Sequence, residues 1–471
     1  MKIKKCILLI LIIVFAWACG SEKSKKQDVE LNVTKVFLDI SNFSDDYIIA
    51  CCDDQFDTIK INENGKFLYS VLLSKDSYLE IKLAKTNVLL YAKPNAEILI
   101  KLDAKDLYNS LSFSGDHAEI NNYLAKQDKL LFDAKPNSES FIYAKNYSVF
   151  SAAFQEFDKE FKSNLKQFFE ANPNFEDFVI LEKERQKLIN TNLILAFYSP
   201  LIFSEQADKD IENEIDFLIN STDKNNPNLL NLSLFYKYAE NLIDYKLGLK
   251  YREKNIDDIS DAEYINDYFN LVDDLFSESE VHEATFYHSL KTFIKYYGLE
   301  IISEQFSRYE EFSADRRRLT ELKNIFAEYD KLNAGNPSVD WEFFDINGNK
   351  YSSKDFLGKY IYIDVWASWC GPCIKEAPYF KEIAKKFEGK DIVFVSISVD
   401  ESKNDWLNSQ KEENDNIISL WAESWDNVLC NFFKIHAIPR FLLIDKQGLI
   451  INSNADRPSA GIEEVLNSLD L

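Results

Sequence analysis

Two cysteines spaced two residues apart, set between an apolar strand and an amphipathic helix, constrain this chain more than any other feature. Residues 360–365 read as a buried strand, and 372–387 as a helix that opens on Cys370-Gly371-Pro372-Cys373. Proline suits the first helical positions, where no backbone donor is required. The free N–H groups and positive end of such a helix favour a thiolate on Cys370, so its pKa is expected below the free value of about 8.5. Cys373, one turn later, is placed to resolve a mixed disulfide formed on Cys370. Strands and helices alternate through the rest of residues 334–471. A hairpin turns at Asn347-Gly348, strands fall at 392–399, 417–420, 441–444 and 449–451, and a last helix covers 462–469. That order predicts an α/β domain with a parallel-containing sheet.

A chain of 471 residues is too long for one ordinary core. Ala334-Gly335-Asn336-Pro337-Ser338 reads as a linker, and the texture differs on its N-terminal side. Residues 116–333 are expected to be all-α: Phe150, Phe154, Phe157, Phe161, Leu165, Phe168 and Phe169 recur at helical spacing, a stripe read as packing. Residues 29–115 hold short alternating runs such as Val36, Leu38 and Ile40, with a turn at 62–65. They predict an antiparallel β-sandwich-like domain. Net charge is −24 and no long basic block follows the first few residues, which argues against a nucleic-acid partner.

The N-terminus begins with Lys2, Lys4 and Lys5, followed by an apolar run over 6–18. That run is short of the roughly 20 residues needed to span a bilayer. It ends in Ala16-Trp17-Ala18-Cys19-Gly20-Ser21 and resembles a bacterial lipoprotein signal. The resemblance implies removal of residues 1–18, lipidation of Cys19 and a tether over 19–28. The body would then lie in the cell envelope of a Gram-negative bacterium, facing the periplasm or exposed at the surface. Seven cysteines, only two of them at redox spacing, do not make a structural disulfide framework.

Asp364-Val365-Trp366-Ala367-Ser368-Trp369-Cys370-Gly371-Pro372-Cys373, continued by Ile374-Lys375-Glu376-Ala377-Pro378 and preceded by Asp345-x-Asn347-Gly348, resembles the TlpA/ResA-like exported thioredoxins. The resemblance implies a thioredoxin fold over 334–471, a redox-active Cys370–Cys373 disulfide and no cofactor. Ile438-Pro439 falls where that family has its cis-proline. The backbone there, with Trp369, Gly371 and Pro372, would receive an extended substrate segment by strand addition. Asp364 takes the place of a buried carboxylate that accepts a proton from Cys373, and Glu376 matches a glutamate of the family's proton handling. One departure stands out: Ser396-Ile397-Ser398 replaces the lysine that thioredoxins carry near the aspartate.

Zinc would need two further ligands at close spacing, and His436 and Cys430 are isolated. A peroxiredoxin would need Ser or Thr where Ala367 stands. Gly-Pro between the cysteines is the dipeptide of reducing thioredoxins, near −270 mV against about −120 mV for a strong oxidant of the same class. The partners this implies are exported proteins with disulfides, a membrane thiol relay as electron donor, and the membrane through the lipid anchor. The alternative is a binding or assembly lipoprotein in which the thioredoxin module is an accessory.

Overall fold

The alternation of buried and exposed residues near the N-terminus resolves into strands in the computed structural model, which describes residues 32–52, 55–61, 66–83, 86–134, 144–204, 207–254, 259–409 and 416–471. The signal segment, Cys19, the tether and the 62–65 turn lie outside the described residues. The chain divides into two compact units. One holds the described residues up to 122 except 51–56, and the other holds 51–56 and everything from 123 onward.

The first unit is built on β1 (Val33–Ser41), β2 (Tyr47–Cys52), β3 (Gln55–Lys60), β4 (Phe67–Leu72), β5 (Ser77–Leu83), β6 (Thr86–Ala92), β7 (Glu97–Asp103) and β8 (Ser112–Gly115), with a short helix α1 (Leu107–Ser110) before the last strand. They form two four-stranded sheets, ordered β4-β1-β7-β8 and β3-β2-β5-β6. The expected antiparallel arrangement is corrected between β1 and β7. β1 runs antiparallel to β4 but parallel to β7, with Val36 opposite Ile98 and Leu38 opposite Ile100. The chain leaves β1 to build the other sheet and returns in the same direction, and this register puts the buried residues of both strands on one face.

Helix α2 (Ala118–Ala134) starts in the first unit and continues into the second, which goes on with α3 (Tyr147–Ala171), α4 (Glu176–Tyr198), α5 (Lys209–Ser221), α6 (Ser233–Tyr251), α7 (Asp261–Leu275), α8 (Ser279–Tyr297), α9 (Ser303–Phe312) and α10 (Arg316–Tyr329). Short polar side chains start several of them: Asn146 accepts from Val149 N, Ser260 from Glu263 N, and Asp315 from Arg317 N and Arg318 N. The phenylalanine stripe of α3 is buried from Phe150 to Phe168, but Phe169 is 37% exposed. α4 is buried over most of its surface, and inside it Arg185 Nε donates to Glu182 at 2.7 Å, a fully desolvated pair.

The unit ends in a seven-stranded sheet, ordered β10-β9-β13-β12-β11-β14-β15. Its strands are β9 (Glu342–Phe344), β10 (Lys350–Ser352), β11 (Tyr360–Trp366), β12 (Ile392–Ser398), β13 (Ile417–Trp421), β14 (Arg440–Ile444) and β15 (Ile450–Asn452). Interleaved are α11 (Gly371–Lys386), α12 (Lys403–Ser409), α13 (Val428–Phe432) and α14 (Ile462–Asn467). β11, β12 and β13 are parallel, while β14 runs antiparallel to β11. Ile361, Ile363 and Val365 point into one apolar layer with Trp341 and Leu429, and Tyr362 points into the other with Phe380 and Phe441. The segment that composition marks as a linker is hydrogen-bonded in place: Gly335 N donates to Ile450 O at 2.8 Å and Ser338 N to Gly448 O at 2.9 Å. Leu332, just before it, is buried in the apolar layer that contains both cysteines.

Candidate active site

The site is assembled where β11, the central strand, runs out and α11 begins. Cys370 is the N-cap of α11 and its Sγ accepts from Cys373 N at 3.2 Å. Helix start and sulfur therefore coincide, which is the geometry that stabilises a thiolate. Cys370 and Cys373 are joined as a disulfide, Cα to Cα 5.3 Å. Cys370 is only 3% exposed, yet its neighbours are open: Trp369 is 64% exposed, and Gly371, Pro372 and Ile374 face solvent. A Cβ built on Gly371 would meet nothing within 4 Å. The sulfur thus lies beneath an accessible apolar rim.

The turn that carries the cysteines is clamped from behind by Asp400, a residue with no motif to announce it. Its buried carboxylate accepts from Ser368 N at 3.0 Å, Ser368 Oγ at 2.7 Å and Ser398 Oγ at 2.7 Å, and its carbonyl accepts from Trp421 Nε1 at 2.7 Å. Charge-assisted bonds of this kind fix the backbone two residues before Cys370.

The bond between Ile438 and Pro439 is cis, and both residues are half-buried. The adjoining Arg440 is buried on β14 opposite Val365, and burial pulls its pKa down. Four residues before Ile438, Lys434 pairs with Glu328 of α10 at 2.8 Å.

Asp364 lies on β11 between Ser396 of β12 and Phe441 of β14. It is buried, and its Oδ1 has no hydrogen-bond partner among the described residues. Desolvation, helped by the nearby charge of Glu376, pushes its pKa up to about 8. The structure thus brings Asp364 and Glu376 within electrostatic reach of one another. Glu376 is itself buried and held by Ser459, whose N and Oγ donate to it at 3.1 and 2.8 Å. Cys430, the third cysteine of this domain, is buried, and burial pushes its thiol up to about 11.

A strand-to-helix turn bearing a disulfide between cysteines three positions apart, a cis-proline loop and a buried carboxylate defines a redox centre of the thioredoxin class. Residues 358–450 match the family model described as Thioredoxin-like. The thiol–disulfide oxidoreductase ResA of Bacillus cereus is 26% identical over 151 residues, which cover 32% of this chain and 86% of that protein. ResA of Bacillus subtilis is 26% identical over 127 residues, covering 27% and 70%. A solved Bacteroides vulgatus protein, described as a candidate thiol–disulfide oxidoreductase, is 42% identical, covering 29% of this chain and 97% of that one, with a TM-score of 0.28. Residues 358–450 are thus a thioredoxin-like domain, and the chain is a thiol–disulfide oxidoreductase.

Proposed function

We propose that this chain is a membrane-anchored, extracytoplasmic reductase of disulfides in exported proteins. The observation that carries the reading is Cys370 as the cap of α11, nearly buried under an exposed apolar rim, with Cys373 bonded to it. In the reduced form the Cys370 thiolate attacks one sulfur of a substrate disulfide and expels the other as a thiolate. Cys373 then attacks Cys370 Sγ, forming the intramolecular disulfide and releasing the second substrate thiol. Two electrons pass to the substrate, so each cycle needs a dithiol donor, and for an envelope protein that donor is a membrane thiol relay. Trp369, Gly371, Pro372 and the Ile438–Pro439 backbone line the docking position of the substrate segment. Asp364 receives the Cys373 proton, and Glu376 acts beside it.

Direction is tested by redox titration of the dithiol against glutathione or dithiothreitol. A potential near −270 mV is expected, and a value above about −150 mV would make the protein an oxidant. Anchoring rests on the segment ending in Cys19. Among the described residues no helix is long and apolar enough to cross a membrane. Metabolic labelling with palmitate should mark the wild-type chain and fail for Cys19→Ala, which should also leave the membrane fraction. Unchanged labelling in that variant would remove the lipid anchor from the proposal.

A further inference from the structure

Within the helical region a cleft of 610 Å³ opens among α3, α4 and α5. Its size is that of ligand sites, about 300–1,000 Å³. Each helix contributes one face at helical spacing. α3 gives Lys162, Leu165, Lys166 and Phe169, and α4 gives Val179, Lys183, Lys187 and Asn190. Phe217 and Leu218 close the side formed by α5.

Three properties of this cleft stand apart from ordinary packing. First, four of its thirteen lining residues are lysines and none is acidic, in a chain with 78 acidic and 54 basic residues. Lys162, Lys166 and Lys187 have carboxylates on their own helices, namely Asp158, Glu170 and Glu184. Lys166 and Glu170 form an exposed pair, which is worth little, and Lys162 and Lys187 reach solvent beside half-buried carboxylates. Lys183 has no ion-pair partner among the described residues. Second, the rim is apolar and uncovered, for Phe217 is 72% exposed and Phe169 departs from the buried stripe of α3. Third, Asn190 is 7% exposed and donates Nδ2 to Asp158 at 2.6 Å, while its Oδ1 has no donor among the described residues. A buried acceptor left unpaired is costly.

We propose that this cleft binds an acidic, apolar-rich peptide segment of the protein substrate, which makes it a client-selection site separate from the dithiol. The inference rests on the reading that the substrates are proteins. A peptide meets all three demands together: carboxylates for the lysines, Leu or Phe side chains for the phenylalanine rim, and backbone N–H groups for Asn190. A fatty carboxylate satisfies the first two and offers no donor to Asn190 Oδ1.

The test is fluorescence anisotropy of a fluorescein-labelled octapeptide alternating Glu with Leu and Phe, titrated with the mature full-length chain. Saturable binding is expected. The double variant Lys183→Glu/Lys187→Glu should weaken it about tenfold, whereas Lys183→Arg/Lys187→Arg should retain it. The same peptide with Lys in place of Glu should not bind. Equal affinity for the wild-type and charge-reversed chains would overturn the proposal, as would binding of hexadecanoate in place of the peptide. Reduction of a small aromatic disulfide is measured alongside, since the surface lysines leave the dithiol untouched. Absent peptide binding with intact reduction sinks the cleft alone. Binding with no reduction of any disulfide sinks the redox reading and leaves the ligand class of the cleft standing.

Discussion

Cys373→Ser converts the protein from a catalyst into a trap, with turnover falling to background while substrates accumulate in covalent complexes on Cys370. The chemistry of the first step survives the substitution, because the N-cap position of Cys370 is set by α11 and by the Asp400 clamp on Ser368. What is lost is the second thiol, so the mixed disulfide is released only by an external reductant. Non-reducing electrophoresis of envelope fractions should show ladders that collapse with dithiothreitol, and mass spectrometry should place the crosslink on Cys370. Cys370→Ala should show neither ladders nor turnover. Cys430 is a poor substitute nucleophile, since burial holds its thiol near 11 and therefore protonated at neutral pH. Ladders that persist in Cys370→Ala would show that the capture depends on another cysteine and that Cys370 is not the attacking group. The same variants separate the redox enzyme from a binding lipoprotein with an accessory thioredoxin module. Only the enzyme loses its cellular role with Cys370.

The redox centre was legible because its information is local. Strand, Cys-Gly-Pro-Cys and helix occupy one continuous stretch, and proline and glycine at a helix start carry a physical meaning that needs no alignment. The N-terminal strands were legible as strands by alternation, but the parallel pairing of β1 with β7 was not, because it joins residues some sixty positions apart. Distance in sequence also hid the supports of the site. Asp400 reads as the end of a strand until its carboxylate is found on Ser368, 32 residues away, and Ser459 meets Glu376 across 83 residues. The lysine cleft was obscured by the phenylalanine stripe, which suggests core along its whole length. A signal for it was nonetheless present: Lys162 and Lys166, then Lys183 and Lys187, repeat an i,i+4 pair on successive helices of an acidic chain. Periodicity places a residue on a helix face, but only packing decides whether that face is covered, and Phe169 is where the two part.

Asp364→Asn should raise the stability of the oxidised protein in alkaline solution and slow the second half of the catalytic cycle. The stability effect follows from linkage. In the unfolded chain this carboxyl ionises near its ordinary value of 3.8, whereas burial and the charge of Glu376 hold it protonated in the fold up to about 8. Between these two values the folded state binds the extra proton, so stability falls as pH rises. Its contribution is fully present below about pH 4 and is lost once pH passes through about 8. Each pH unit in that window costs about 1.4 kcal/mol, so by about pH 9 the isosteric neutral variant should exceed wild type by several kcal/mol. Chemical denaturation across that range reads the difference directly; parallel stability curves for the two proteins would show that Asp364 does not titrate there. The kinetic effect has a different origin. A carboxylate that ionises near 8 is matched to a thiol of similar pKa, the condition for efficient proton transfer from Cys373 as it attacks. Asparagine cannot accept that proton, so release of the mixed disulfide should slow by about 10²-fold and lose its pH dependence around 8. Stopped-flow tryptophan fluorescence of a single turnover, reported by Trp366 and Trp369 beside the cysteines, follows that step. A purely structural aspartate would change the denaturation curve alone, whereas a proton acceptor changes the pH profile of resolution as well.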